Sequence, residues 1–409
     1  MEIKHSVLDR ISEETEWNRF LQYKLDNQHL NGQEENLIRK YIEEKRYIPM
    51  YQMILEHRFP GEYPVKKIIN KEGTQKKRVV YSFSSDISIT LKFIAYQLYE
   101  FDEMFSFNCY AFRRNYGVGD ALKRILRNNQ IPKQYCLKAD ISNYFNSIQT
   151  DRLRNQLAEE IGRKDEKLFR LFETILLENR VVENGRIQEE QHGAMAGIPL
   201  APFFANIYLM DVDAYFMQQK TEYFRYSDDI LLFADSYEEL MQRKEALYTR
   251  LAARGLMVNQ EKECIAAPGN KWEFLGFSYD KGQIDLSENT KRKIKGKIHR
   301  KADALRRWQR KKELAPDKAA IGFIRAMNRK FYGNEETDEF TWSRWFFPNL
   351  TVDYGLKEID RYMQEYIRYT VTGRHYKGNY RISYQQLKDW GYRGLVHEYY
   401  NFKKERKDL

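Results

Sequence analysis

The chain has 409 residues, with 69 Lys and Arg against 59 Asp and Glu, a formal net charge of +10 and a sequence pI of about 9.1. This length allows a large core split over two or three subdomains, and 42% hydrophobic with 15% aromatic residues excludes a disordered chain despite a mean hydropathy of −0.76. The basic excess favours a polyanionic partner, nucleic acid before a membrane surface, and no apolar run reaches the roughly eighteen residues of a transmembrane helix.

The cysteines, Cys109, Cys136 and Cys264, form no Cys-x-x-Cys pair and no zinc-ligand cluster. That pattern fits a reducing cytosol and a cytoplasmic protein. Met1-Glu2-Ile3-Lys4-His5 has no signal-peptide pattern.

Residues 1–50 read as helix. Leu8, Ile11, Phe20 and Leu21, then Leu37, Ile38, Tyr41 and Ile42, recur at helical spacing, and Asn31-Gly32 divides the stretch into two helices. Residues 65–69 and 78–81 read as two strands joined by a basic turn over 70–75. Residues 85–130 return to helix, interrupted near 107–117. Residues 135–141 are a short buried strand of alternating apolar residues that ends on an acid, Asp140. Thr150 is expected to cap a helix running to about Ile161, and a further helix covers about 165–178. Residues 181–188 read as a hairpin around Asn184-Gly185. A Gly/Pro loop over 193–202 precedes a helix from about Phe203 to Gln218.

Phe224-Arg225-Tyr226-Ser227-Asp228-Asp229-Ile230-Leu231-Leu232-Phe233 sets two adjacent carboxylates between runs of strand formers. Asp-Asp is poor inside a strand and good at a turn, so a hairpin with both acids at the bend is expected. A solvated acidic turn is the ordinary alternative, and the apolar flanks weaken it. Paired carboxylates repel unless a cation lies between them, and hard oxygen ligands suit Mg²⁺.

Ser236 and Glu239 read as a capping box for a helix that ends at Gly255. Strands follow near 256–258 and 271–277, with a hairpin turn at Asp280-Lys281-Gly282. The composition changes at Leu286, where a domain boundary is expected. Residues 291–312 carry twelve Lys or Arg and one acid, Asp303, while Ile294, Ile298, Ala302 and Leu305 keep one apolar stripe. The other faces are basic, with Lys291, Lys295, Arg300 and Arg307 as candidate contacts to nucleic-acid phosphates. Residues 350–409 are rich in Tyr and Arg. Tyr376, Tyr380, Arg381, Tyr384, Trp390, Tyr392 and Arg393 read either as a packed aromatic core or as a stacking surface for unpaired bases. There is no fixed-period repeat and no low-complexity tract.

If the strand ending at Asp140 neighbours the Asp228-Asp229 hairpin, three acids meet at one end of a sheet. Two Mg²⁺ ions roughly 4 Å apart need about this much negative charge. One ion would lower the pKa of an attacking hydroxyl and the other would carry charge on a leaving phosphate, which is two-metal phosphoryl transfer.

Asp140-Ile141-Ser142-Asn143-Tyr144-Phe145-Asn146-Ser147-Ile148 resembles the first catalytic motif of reverse transcriptases, and Tyr226-Ser227-Asp228-Asp229 resembles their Tyr-x-Asp-Asp box. Ala205-Asn206-Ile207-Tyr208-Leu209, residues 255–262 and Phe274-Leu275-Gly276-Phe277 match the motifs around it, in order. Phe105-Ser106-Phe107-Asn108-Cys109-Tyr110-Ala111-Phe112-Arg113 resembles the segment before the palm in bacterial enzymes of the group II intron, retron and defence-associated lineage. No Cys/His cluster of a nuclease follows, unlike in full mobile-intron proteins. Val371-Thr372-Gly373 matches a retron triplet but sits too late in the chain.

The resemblance implies an α+β, right-hand polymerase architecture: fingers, an RRM-like antiparallel palm sheet with helices, and a helical thumb. The expected divisions are an N-terminal helical extension over 1–62, fingers over 63–135 with part of 150–200, palm over 136–285, thumb over 286–345, and a Tyr/Arg-rich extension over 346–409. It implies RNA-dependent DNA polymerase activity with two Mg²⁺ ions, for which Mn²⁺ would substitute. Asp140, Asp228 and Asp229, with Ile141 beside them, would hold the ions. Phe145, five residues after Asp140, would be the steric gate against a ribose 2′-OH. Arg78, with Lys67 and Lys77, would grip the triphosphate. Lys262 would assist the pyrophosphate leaving group, Gly197 would let the backbone approach the nucleotide, and Arg113 would contact nucleic acid. Expected partners are a structured noncoding RNA template, a DNA primer or product and dNTPs, with no membrane, possible use being antiphage defence. One departure is Ala196, where many relatives have Gln before the Gly. Two other readings stay open: template-independent or protein-primed synthesis on the same palm, and a palm that has lost catalysis and binds RNA.

Overall fold

The computed structural model describes residues 5–28, 30–70, 77–333 and 341–406. The turn expected over 70–75 lies, beyond Asn70, outside the described residues. The chain separates into two compact units, Met1–Asn27 with Gly32–Asn270, and Gln28–Asn31 with Lys271–Leu409. The division falls ahead of the composition change at 286, so the strands around Phe277 belong to the second unit.

The first unit opens with a 3-10 turn, Val7–Ser12, and three helices, α1 (Glu14–Gln28), α2 (Gly32–Glu43) and α3 (Tyr47–Leu55). Two helices were expected; the additional break lies where Lys45 takes a left-handed φ of +49°. Trp17 anchors this region. It is fully buried, stacks on Phe93 at 4.0 Å, and donates its indole N–H to the Ile11 carbonyl at 2.8 Å. Then follow β1 (Val65–Asn70), β2 (Lys77–Ser82), α4 (Ser85–Gln97), α5 (Val118–Arg127), β3 (Tyr135–Asp140), α6 (Tyr144–Ser147), α7 (Thr150–Leu157) and α8 (Glu166–Leu177). After them come β4 (Arg180–Glu183), β5 (Arg186–Glu189), α9 (Ala201–Gln218), β6 (Tyr223–Tyr226), β7 (Asp229–Ala234), α10 (Tyr237–Ala252) and β8 (Cys264–Ala266).

These strands form two four-stranded sheets, in the orders β2-β1-β4-β5 and β6-β7-β3-β8. The second sheet is antiparallel throughout. Ile230 to Ala234 are all fully buried, so both faces of β7 are covered. α10 packs on β7 and β3.

Three local expectations need correction. Thr150 is the first residue of α7 rather than its cap, and Gln149 at the cap makes no side-chain hydrogen bond. Ser236 does cap α10, but the Glu239 carboxylate accepts from the Asp235 amide at 3.0 Å, one residue before the reciprocal position. Residues 256–258 form no strand: Val258 makes one bridge to Ile141, and the sheet's fourth strand is β8. The ladder along Cys136 to Lys138 is taken by Cys264 to Ala266, and Met257, 73% exposed, accepts from the Ser142 amide at 2.8 Å just beyond the end of β3.

The second unit begins with an antiparallel sheet of β9 (Trp272–Phe274), β10 (Phe277–Asp280) and β11 (Gln283–Leu286). Its β10–β11 turn is Lys281-Gly282, with φ of +46° and +82°, the left-handed pair that a tight hairpin favours. Six helices follow: α11 (Glu288–Lys311), α12 (Pro316–Tyr332), α13 (Trp342–Phe346), α14 (Tyr354–Thr372), α15 (Tyr384–Asp389) and α16 (Leu395–Glu405). α11, α12 and α14 pack on one another around Ile298, Phe323, Ile324, Ile359, Met363 and Ile367. The apolar stripe of α11 is as expected at Ile294, Ile298 and Ala302.

The basic faces of α11 are not all free. Lys291 and Lys295 both pair with Glu358 of α14, the former at 2.6 Å, so neither is the open phosphate contact expected of it. Arg300 and Arg307 are exposed. The Tyr/Arg-rich end divides in the same way: Tyr392 is buried with its hydroxyl donating to Asp360 at 2.8 Å, whereas Tyr376, Tyr380 and Tyr384 face solvent.

Candidate active site

The antiparallel register decides the centre. Tyr226 pairs with Asp229, which makes Ser227-Asp228 a two-residue turn with Ser227 at φ +60°. Asp228 therefore sits at the bend, while Asp229 is the first residue of β7 rather than a second turn residue. Asp229 lies directly across from Asp140, the last residue of β3. The Ile141 amide donates to the Asp228 carbonyl at 3.0 Å and pins the turn to the end of β3. The two strands are neighbours, so the three acids meet at one end of the sheet.

Burial and mutual repulsion raise two of these carboxyls. Burial pushes the Asp229 carboxyl up to about 6, Lys138 opposes that rise, and Asp228 and Asp140 add to it. Burial raises Asp228 as well, with Asp140 adding and Lys262 and Arg78 opposing. Two lysines partly neutralise the cluster. Lys262 places Nζ 2.6 Å from Asp140 Oδ1, and Lys138 places Nζ 3.9 Å from Asp229 Oδ1. Lys138 was not singled out from the sequence. Its signal was available, since a lysine two residues before Asp140 in a strand shares its face.

The donor set, hard carboxylate oxygens whose charge is disfavoured by burial, fits a hard divalent cation. Among the described residues, however, no three His, Cys, Asp or Glu side chains are grouped to hold a metal ion.

Phe145 begins the next feature. Asn143 takes φ +45° to start α6, Tyr144 is buried, and Phe145 is half-exposed beside it. The Phe145 ring lies 6.3 Å from Phe112, which lies 6.3 Å from Tyr226. A row of aromatics therefore runs from the Asp-Asp turn to Phe145. Phe112 is 40% exposed and holds φ +59°, a conformation uncommon for a bulky residue. Its segment was recognised in the sequence, but no role was assigned to it.

The 193–197 loop ties Phe145 to β2. The Ala194 amide donates to the Phe145 carbonyl at 2.8 Å, and the Ala196 carbonyl accepts from the Tyr81 amide at 2.7 Å. Gly193 has φ +59°, and a Cβ there would collide with the Phe145 carbonyl. At Gly197, φ +110°, a Cβ would stand 2.7 Å from the Tyr81 carbonyl. The contact made by Ala196 to β2 uses only its backbone, which any side chain would permit.

In the β1–β2 hairpin, Lys67 pairs with Val80 and Ile69 with Arg78, so Lys67 and Arg78 share one face. Arg78 lies near enough to ease the charge on Asp228. Lys77 is next to Arg78 in the same strand and points to the opposite face, so it does not join Arg78 as expected. Arg113 is also corrected. It is buried, donates to the Ser106, Cys109 and Asp102 carbonyls at 2.9, 3.1 and 2.9 Å, and lies 3.8 Å from the Tyr116 ring. Its guanidinium satisfies an irregular loop's carbonyls rather than a nucleic acid.

Behind the turn lies a second feature missed from the sequence. Arg225 is fully buried, with Nε 2.7 Å from Asp213 Oδ1 and Nη1 3.3 Å from both Asn206 Oδ1 and the Ser227 carbonyl. It joins the Asp-Asp turn to α9.

An antiparallel sheet with three acids at one end, a basic hairpin acting on one of them and a glycine loop between defines a polymerase-type palm. The family described as reverse transcriptase (RNA-dependent DNA polymerase) matches residues 69–279, just over half of the 409 residues, and the chain belongs to that family. It is similar to the Retron Ec86 reverse transcriptase of Escherichia coli, 22% identical over 193 residues, covering 45% of this chain and 55% of that protein. The chain thus matches about half the length of this curated relative. Among solved structures it is similar to apo telomerase from Candida tropicalis, with a TM-score of 0.46 and 12% identity over 83% of this chain and 63% of that one. It is also similar to telomerase from Candida albicans in complex with a telomeric RNA fragment, with a TM-score of 0.42 and 12% identity over 86% of this chain and 68% of that one. Among the described residues no helix is long and apolar enough to cross a membrane.

Proposed function

We propose that the protein is an RNA-dependent DNA polymerase that extends a DNA primer with dNTPs. The observation that carries this reading is the pairing of Asp140 with Asp229, with Asp228 held beside them by the Ile141 amide. Asp140, Asp228 and Asp229, with Ile141 alongside, would hold two Mg²⁺ ions, and Mn²⁺ would substitute. Such ions, when bound, lower the pKa of an attacking hydroxyl and neutralise charge on the leaving group.

The remaining tasks fall to the chain's own residues. Arg78 and Lys67 bind the triphosphate oxygens from one face of the β1–β2 hairpin. Phe145 stands against the sugar and excludes a 2′-OH. As the primer 3′-oxygen bonds to the α-phosphorus, the bond to pyrophosphate breaks, and Lys262 gives that leaving group a proton. Arg300 and Arg307 on α11 offer phosphate contacts. The first unit would supply fingers and palm, and α11 and α12 the thumb.

The template we favour is a structured noncoding RNA, with a setting in the bacterial cytoplasm and a role in antiphage defence. Resemblance to retron and defence-associated enzymes supports this. The test is extension of a DNA primer on an RNA template by purified protein. The Asp228→Ala, Asp229→Ala double variant should make no product, and continued synthesis by it would overturn the metal assignment. Loss of synthesis in the wild type with RNA binding retained would favour a palm that only binds RNA.

A further inference from the structure

Residues 366–388 of the second unit contain no Asp or Glu, yet hold Arg368, Arg374, Lys377, Arg381 and Lys388. The stretch from the last turn of α14 to the start of α15 is also unlike an ordinary globular surface. Its buried residues are polar: Arg368 is 7% exposed and Asn379 5%. Its exposed residues include three aromatics among the cations: Tyr376 is 55% exposed, Tyr380 77% and Tyr384 44%.

The buried polar groups hold the backbone from within. Arg368 Nε donates to the Ile382 carbonyl at 2.9 Å, and Asn379 Nδ2 donates to the Arg374 carbonyl at 2.7 Å. Gly373 ends α14 at φ +77°, and Ser383 with Gln386 forms a reciprocal capping box at α15. The tyrosines are therefore presented from a braced backbone and lose little freedom on meeting a ligand. Cations attend two of the rings, with Arg368 5.3 Å from the centre of Tyr380 and Lys388 5.2 Å from that of Tyr384.

Scattered exposed aromatics are ordinary, but three at four-residue spacing in a stretch with no acid have a specific chemistry. Aromatic faces take stacked bases and nearby cations take the connecting phosphates. A protein partner would need acidic side chains to meet this charge and would gain little from separate upright rings. A duplex hides its base faces and offers nothing to stack.

We propose that Tyr376, Tyr380 and Tyr384 form a stacking face for unpaired nucleotides of a single strand, with Arg374, Lys377 and Arg381 on its phosphates. The face lies wholly in the second unit and uses no residue of the polymerase site. It goes beyond the polymerase reading and stands if that reading fails.

The test is fluorescence anisotropy on the full chain carrying Asp228→Ala and Asp229→Ala, which separates binding from synthesis. The probes are oligo-rU and oligo-dT of about twelve nucleotides, and a duplex of equal length. Each Tyr→Ala change should weaken single-strand binding about tenfold and the triple change about a hundredfold or more, with duplex binding unaltered. The triple Tyr→Phe variant should bind as the unaltered rings do, which also reports on folding. Lys377→Ala with Arg381→Ala should weaken binding and flatten its salt dependence. Binding of both strands supports the face as stated, and binding of oligo-rU alone narrows it to RNA. Unchanged single-strand affinity in the triple Tyr→Ala variant overturns the proposal, as does an equal loss for the duplex.

Discussion

Lys262 Nζ lies 2.6 Å from Asp140 Oδ1, so a cation of the chain itself rests on the acid that ends β3. The lysine is 43% exposed and its partner's side chain 10%. It is thus free to leave Asp140 when the acid takes another partner, as its proposed role at the leaving group requires. Lys262→Met should slow single-turnover extension by about a hundredfold. The same change removes a competing cation, so added Mg²⁺ should raise the melting temperature of the variant at lower concentration than that of the wild type. Wild-type extension rates in Lys262→Met would end its assignment to the leaving group.

The raised Asp229 carboxyl sets a pH dependence. Its folded pKa of about 6 lies above the ordinary 3.8, because burial disfavours the charged form. Between these values the folded state holds a proton that the unfolded state has lost. The stabilisation is full below the unfolded value and is lost as pH rises through about 6. Metal-free protein near neutral pH should therefore carry a penalty on the order of 1–3 kcal/mol. Asp229→Asn should raise the melting temperature of chelator-treated protein by several degrees at about pH 8 and little at about pH 4. Calorimetry at the two pH values decides it, and equal shifts at both would contradict the burial argument.

Arg225 and Asp213 form a pair whose side chains are 0% and 1% exposed. Arg225→Met would leave a buried carboxylate unpaired and should cost about 3–5 kcal/mol by denaturant titration. Adding Asp213→Leu removes the orphaned charge and should recover most of that loss. It does not restore the donor to the Ser227 carbonyl, so extension by the double variant should stay slow. Full recovery of rate with stability would make Arg225 purely a core residue.

Phe112 touches both Phe145 and Tyr226, and so backs the ring proposed to exclude ribonucleotides. Phe145→Ala should raise the ribo- to deoxynucleotide ratio of kcat/KM by about 10–200-fold. Phe112→Ala should move it in the same direction by less. Phe112→Gly, which accepts φ +59° without strain, should match Phe112→Ala, since the ring and not the backbone is at issue. An unchanged ratio in both Phe112 variants would separate Phe112 from selectivity.

Much of the site was legible because it is local. The alternation ending at Asp140, the Asp228 turn and the turns at Asn184-Gly185 and Lys281-Gly282 each depend on a few consecutive residues. What misled was equally local. Arg113 reads as a free cation in sequence, and only the loop folding over it shows where its donors go. Residues 256–258 are apolar enough for a strand, but they meet only the end of β3, with Val258 bridging Ile141 and the Met257 carbonyl accepting from the Ser142 amide, while Cys264 to Ala266 takes the ladder along Cys136 to Lys138.

By itself the sequence determined a buried strand ending on an acid and a hairpin turn carrying another, since strand period and turn chemistry act between near neighbours, and its ordered motifs carried the resemblance to a polymerase palm. The tertiary structure alone decided that Asp140 faces Asp229, that Lys262 answers Asp140 across 122 positions, and that Glu358 withdraws Lys291 and Lys295 from the basic face of α11. Contacts at such separations leave no periodic trace. They are settled by which strands pair and which charges burial forces together.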